Sequence, residues 1–230
     1  MFTIFQGSGA PDVQTFLNVF TSLPLSVAGA IGIRKAVERR DEALSATGLP
    51  FLTFCFSLIL SGVGSIWYHS FPSPANLLWD RLPIALSLAS LACGIANLYP
   101  GSLWGTKLLG PAVVTTVSTV VYWNVTRLRG HEDLVPYAVA QVAAAMFVCY
   151  VSFLQWPHKA TSGILRFALL AYAAGRVLEG MQAVIYSKIG FDFAHPGKHL
   201  LMSAACFLMI SALSESLPAP EADMGTLEAE

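Results

Sequence analysis

The sequence is poor in charged residues. Only 12% of its 230 residues are Asp, Glu, Lys or Arg, whereas a soluble globular domain carries about 25%. Because 55% of the residues are hydrophobic and the mean hydropathy is +0.61, too little polar surface remains to face water. Lipid must be the solvent for much of the chain. The net charge of −1 also argues against a nucleic-acid-binding surface, which is usually basic.

Cysteine motifs and targeting signals are also lacking. The four cysteines lie in long apolar runs without a CxxC spacing, so we interpret them as small buried residues rather than disulfides or zinc ligands: Cys55, Cys93, Cys149 and Cys206. The first twelve residues lack the basic region of a secretory signal peptide. No change in composition divides the chain, so we expect one membrane domain over 1–216. We expect an acidic, disordered tail at 217–230.

What the sequence has instead is a series of long apolar stretches. A membrane-spanning helix needs about 20 mostly apolar residues, and seven stretches qualify. The predicted fold is therefore an all-α bundle of about seven transmembrane helices, near 14–33, 50–71, 76–98, 107–126, 135–154, 161–186 and 197–214.

Basic residues in the short loops predict the orientation, since they concentrate on the cytoplasmic side. Seven spans put the termini on opposite sides. The side away from the N-terminus holds six such residues: Arg34, Lys35, Arg39, Arg40, Lys107 and Lys159. The N-terminal side holds three: Arg127, Arg129 and Lys188. We therefore expect a non-cytoplasmic N-terminus and a cytoplasmic C-terminal tail.

Ionisable side chains, which are uncommon in membrane spans, and one hydroxyl side chain occur where three of the apolar stretches begin or end. Ser65 and His69 close the second stretch, Asp80 opens the third, and His195 and His199 open the seventh. Since successive spans alternate in direction, all five residues fall on the N-terminal face of the membrane. The spacing of four within each pair places its two members on one side of a helix. Ionisable groups at membrane depth are costly, so each is a functional hypothesis.

Three histidines and a water molecule form the open tetrahedral arrangement of a catalytic zinc site. Zinc lowers the pKa of its bound water to about 7. His69, His195 and His199 are then the predicted ligands. Asp80 is the candidate proton acceptor and donor, and Ser65 the candidate hydrogen-bond donor to the bound water or to a developing oxyanion. Other transition metals also accept three histidines.

Simpler interpretations exist for each residue. The histidines are interfacial or packing residues, Asp80 pairs with Arg81, and Ser65 packs as a small side chain between helices. Neighbouring aromatic residues form an interfacial belt: Trp67, Tyr68 and Trp79. Arg176 and Glu179, three apart, either pair with each other or orient a lipid headgroup. The combination of residues on one face favours the functional interpretation.

The order Gly62-x-Gly64-Ser65-x-x-Tyr68-His69, then Trp79-Asp80-x-Leu82-Pro83, then His195-x-x-x-His199 resembles the alkaline ceramidase family. The segment Phe16–Pro24 is similar to the first helix of that family. The family belongs to a superfamily of seven-helix membrane hydrolases that includes adiponectin-receptor-like and Per1-like proteins. Stretches at 133–137 and 171–179 look like its smaller, bacterial-type members.

The resemblance implies zinc ligation by His69, His195 and His199, with Ser65 and Asp80 holding and activating the water. It implies hydrolysis of the amide of a ceramide-like lipid to a fatty acid and a sphingoid base. The calcium site of animal members is not carried over, because Thr15 stands where they have an acidic residue.

The alternatives are hydrolysis of another lipid amide or ester, or a lipid-sensing receptor-like protein that retains a metal. Metal transport is less favoured, because the ionisable set lies near one face rather than at the midplane.

Overall fold

The computed structural model describes residues 13–38, 48–98, 103–155 and 159–215, and these contain no β-strand. The acidic tail lies outside the described residues. Eight α-helices occur in the described part: α1 Val13–Glu38, α2 Leu49–Ser70, α3 Asn76–Ala96, α4 Trp104–Leu128, α5 Val135–Tyr150, α6 Lys159–Gly180, α7 Gln182–Ile189 and α8 Ala194–Glu215. A π-helical turn, Val151–Gln155, extends α5.

Proline and short polar side chains fix the helix ends nearest to the site. α2 stops at Ser70, just before Pro72, which cannot continue a helical hydrogen-bond ladder. α3 then begins with the Asn76 backbone N–H donating to the Ser73 hydroxyl at 3.1 Å. The Asp133 carboxylate accepts the Val135 N–H at 2.9 Å where α5 begins. Such side chains satisfy backbone donors that have no partner within the helix.

Close helix packing around α2 organises the bundle. α2 packs against α1 and α3, α8 against α1 and α6, and α4 and α5 complete the far side beside α3. Gly29 of α1 lets that helix approach α2, since a Cβ there would overlap the backbone carbonyl of Cys55. Small residues bring transmembrane helices together in this way. The largest buried cluster, including Phe54, Leu58 and Ile210, joins α2 and α8 to α1, α3, α5 and α6.

Many large apolar side chains remain exposed on the outside of the bundle, such as Phe16, Val114 and Phe167, each at least 60% exposed. In water this surface would be unfavourable, whereas in lipid it costs nothing. Six of the described helices are long and apolar enough to cross a membrane, and α6 with α7 forms a seventh if the pair is one span. The prediction of a membrane bundle with about seven spans is confirmed.

The sixth predicted span, 161–186, is not one straight helix. α6 ends at Gly180, and α7 continues after Met181 at an angle of 56°. Glycine is a poor helix former, which favours a break in the helix at Gly180. α7 ends at Ile189, and the next residue, Gly190, has a φ of +73°, which suits glycine.

Candidate metal centre

Two helix ends bring the three predicted histidine ligands together. His69 lies in the last turn of α2, and His195 and His199 lie in the first two turns of α8. Their ring centroids are 4.9 Å (His69–His195), 5.2 Å (His69–His199) and 4.7 Å (His195–His199) apart. One ligand atom from each lies within 4.8 Å of the other two. The three-histidine group could hold a metal ion.

The donor set fits a transition metal such as zinc. His69 Nε2 and His195 Nε2 are 3.2 Å apart. Two nitrogens bound to one tetrahedral zinc at about 2.0–2.1 Å would be separated by about 3.3–3.4 Å. All three imidazoles are at least half-buried, so their lone pairs lie away from bulk water. Among the described residues, this is the one group of three or more His, Cys, Asp or Glu side chains with metal-binding proximity.

Ser65 and Asp80 meet beside the histidines because of a glycine. Ser65 is 6% exposed and lies one turn before His69. A Cβ on the preceding residue, Gly64, would overlap the backbone carbonyl of Trp79, so only glycine allows α3 this close to α2. That approach brings Asp80 within interaction range of the Ser65 side chain. Asp80 Oδ1 is buried and accepts no hydrogen bond, which leaves it open to a ligand or substrate group.

The alternative ion pair between Asp80 and Arg81 is not formed. The Arg81 guanidinium instead lies over the Trp123 ring, 4.1 Å from its centroid, and its Nη1 is 3.8 Å from Glu132 Oε1. An aromatic face attracts a cation in this geometry. Asp80 therefore makes no direct ion pair with its sequence neighbour.

Two hydroxyls of α1 complete the surroundings of the cluster and were missed by the sequence analysis. Thr21 Oγ1 and Ser22 Oγ each lie 3.2 Å from His199 Nδ1. Ser22 Oγ is also 3.0 Å from Ser65 Oγ. Adjacent hydroxyls in the middle of an apolar helix are the signal that could have drawn attention to them. Their partner, however, lies 177 or 178 residues away in the sequence.

Asp192 holds the start of α8 in place. Its Oδ1 accepts the His195 backbone N–H at 3.1 Å, and its Oδ2 accepts a hydrogen bond from Gln182 Nε2. The Gln14 side chain donates to the Asp192 backbone carbonyl at 2.7 Å. One residue thereby ties α1, α7 and α8 together directly before the first histidine of α8, which restricts the position of that ring.

A charged cluster lies beside the two histidines of α8. Arg176 pairs with Glu179, as the spacing predicts, and Lys198 Nζ also approaches Glu179 Oε1 at 3.2 Å. The Lys198 side chain is only 15% exposed, and its charge acts on Asp80 as well as on the histidines. A role for this cluster in orienting a lipid headgroup stays a prediction.

The cysteines take no part in the cluster. All four are free thiols, and Cys55 and Cys93 are buried as expected. Cys206 is half-buried, and Cys149 is exposed, so the prediction that all four are buried is wrong for Cys149. On a membrane-spanning helix an exposed thiol faces lipid rather than water, which removes the reason to bury it.

No protein-family model and no curated protein matches this chain. The likeness to the alkaline ceramidases consequently rests on the site residues named above and on their order along the chain.

Proposed function

We propose that this protein is a zinc-dependent membrane hydrolase that cleaves the amide bond of a ceramide-like lipid, giving a fatty acid and a sphingoid base. One observation carries the proposal. Three histidines meet at one end of the bundle, beside a buried carboxylate that has an oxygen without a hydrogen-bond partner. A metal with three protein ligands keeps a position open for water or substrate, as catalytic zinc sites do.

The residues divide the chemical tasks. His69, His195 and His199 would hold the ion, which, when bound, activates water and polarises the lipid carbonyl. The open Asp80 carboxylate can take a proton from the attacking water and return it to the leaving nitrogen. Ser65, one turn from His69, would orient the attacking water or the substrate carbonyl.

The location of the site supports a lipid substrate. The cluster lies where α2 ends and where α3 and α8 begin, near one surface of the bundle, so an amide at headgroup depth can reach it while the acyl chains stay in lipid. α5 packs on α3 and α4 and meets α6 chiefly at its π-helical turn. α5 begins and α6 ends on the face that carries the site. A lipid that enters between α5 and α6 would reach the site from the bilayer.

The residues present also bear on the alternatives. A structural metal site in a receptor-like protein would close its fourth position with a further protein ligand, and the described residues offer three histidines only. A transporter would need a pathway across the membrane, yet the described chain has no second cluster toward the other face. Ester hydrolysis uses the same groups as amide hydrolysis, so an activity assay must distinguish between the two substrate classes.

The test compares purified wild type with His199→Ala in detergent. We would measure metal content by mass spectrometry and follow hydrolysis of ceramides of several chain lengths and of ester lipids. The matched control is His131→Ala, since His131 is exposed and outside the cluster.

We expect about one zinc per chain and release of sphingoid base for wild type and the control, with both lost in His199→Ala. If the protein binds zinc but cleaves only ester lipids, the proposed substrate class changes from lipid amides to lipid esters. Zinc without any turnover would favour the receptor-like alternative. A folded wild type that binds no metal would overturn the proposal.

A further inference from the structure

The environment of His199 specifies which of its ring nitrogens carries a proton. Neutral histidine has one N–H and one lone pair, and the hydrogen-bond partner of one nitrogen decides the state of the other. His199 Nδ1 faces two hydroxyl oxygens, Thr21 Oγ1 and Ser22 Oγ, both at 3.2 Å. Both belong to α1, and both residues are buried, at 6% and 2% exposure. Bulk water does not compete for these contacts.

Neither hydroxyl has a proton left for His199. Thr21 Oγ1 lies 2.7 Å from the Leu17 backbone carbonyl, an acceptor without a proton, so the Thr21 hydroxyl must donate there. Ser22 Oγ lies 2.7 Å from the Asn18 carbonyl and 3.0 Å from Ser65 Oγ. Its single proton goes to one of these two partners. In either case both oxygens present lone pairs to Nδ1.

We propose that Thr21 and Ser22 are positioning residues that hold His199 in the tautomer protonated at Nδ1. The inference rests on the metal site proposed above, because it leaves the lone pair of Nε2 as the metal ligand. Metal-binding histidines generally donate their other ring N–H to an acceptor that fixes the tautomer and the ring orientation. Here the two hydroxyls act beside the Asn18 backbone carbonyl, which also interacts with His199 and, like them, can only accept a proton from the ring.

Ser22 also connects the ligand to the predicted catalytic residues. Its oxygen contacts His199 on α8 and Ser65 on α2, and Ser65 in turn lies beside Asp80 on α3. The orientation of His199 and that of the Ser65–Asp80 pair therefore depend on one position of α1. This gives α1, which supplies no predicted ligand, a defined part in the site.

The experiment uses the double variant Thr21→Val with Ser22→Ala, which keeps the shape of the helix face and removes both hydroxyl acceptors. Ser26→Ala is the matched control. It deletes a hydroxyl of the same helix, but that hydroxyl donates to the Ile59 carbonyl at 3.0 Å and not to the site. Thr21→Ser retains a hydroxyl and serves as the conservative variant. Zinc affinity is measured by competition with a fluorescent chelator, and the His199 tautomer by ¹⁵N NMR of histidine-labelled, metal-free protein.

We expect the double variant to bind zinc about 10- to 100-fold more weakly and to show a mixture of His199 tautomers. Ser26→Ala and Thr21→Ser should retain wild-type affinity and the Nδ1-protonated signal. If the double variant binds zinc as tightly as wild type, the positioning role is overturned while the metal site stands.

Wild-type spectra decide the matter even if the double variant does not fold, since a His199 signal protonated at Nε2 would refute the assignment. A wild type that binds no zinc but shows the Nδ1-protonated signal would overturn the proposed function and leave the tautomer assignment intact.

Discussion

Replacing Gly64 with alanine should damage both the packing and the predicted chemistry, although alanine is the better helix former. The added Cβ would overlap the Trp79 carbonyl, a backbone atom that cannot rotate away. α3 must then move from α2 by on the order of 1 Å to regain ordinary van der Waals separation. Asp80 directly follows Trp79, so the same movement carries its carboxyl away from Ser65.

The expected energies follow from two opposing terms. Overpacking a tight contact costs about 1–3 kcal/mol, and replacing a helical glycine with alanine gains about 1 kcal/mol. The net loss of unfolding free energy for Gly64→Ala is then about 0–2 kcal/mol. Gly163→Ala in α6 is the matched control, because its Cβ meets nothing within 4 Å and only the gain remains. The difference between the two variants, about 1–3 kcal/mol, isolates the packing cost.

SDS-induced unfolding in mixed micelles measures these free energies, and lipid hydrolysis by mass spectrometry measures the effect on the site. A misplacement of about 1 Å can cost about 100-fold in rate, so hydrolysis by Gly64→Ala should fall to about one hundredth of the wild-type rate. Gly163→Ala should remain fully active. If the two variants were equally stable and equally active, the close approach of α2 and α3 would not be what positions Asp80.

Three further predictions concern the site itself. Asp80→Asn should retain zinc but lose about 10²- to 10⁴-fold in hydrolysis rate, as judged by metal analysis and product release; loss of zinc together with activity would make Asp80 a ligand instead. Removing the metal with a chelator should abolish hydrolysis, and added Zn²⁺ should restore it; activity that survives complete removal would contradict a metal-dependent reaction. Asp192→Ala should lower the unfolding free energy by about 1 kcal/mol, the usual value of a helix cap, and should weaken zinc binding through His195; unchanged stability in mixed micelles would show that the cap contributes nothing.

The sequence by itself determined the class of the protein and the three histidines that could hold a metal ion. Runs of about 20 apolar residues can only be membrane helices, and the observed helices follow the predicted stretches closely. The alternation of spans placed His69 and His195 on the same face of the membrane, because the direction of a span depends only on its number in the chain. The spacing of His195 and His199 then placed both on one side of α8, as the helical period requires.

Only the tertiary structure decided what surrounds those ligands. The contacts of His199 with Thr21 and Ser22 join residues that are 178 and 177 positions apart, and no local pattern encodes which helices become neighbours. Arg81 follows Asp80 in the sequence and could have paired with it, but in the folded protein its guanidinium lies over the ring of Trp123 instead. Local periodicity determines which way a side chain leaves its helix, but its partner is set by how closely the helices pack. Residues without a side chain, such as Gly64, control that distance.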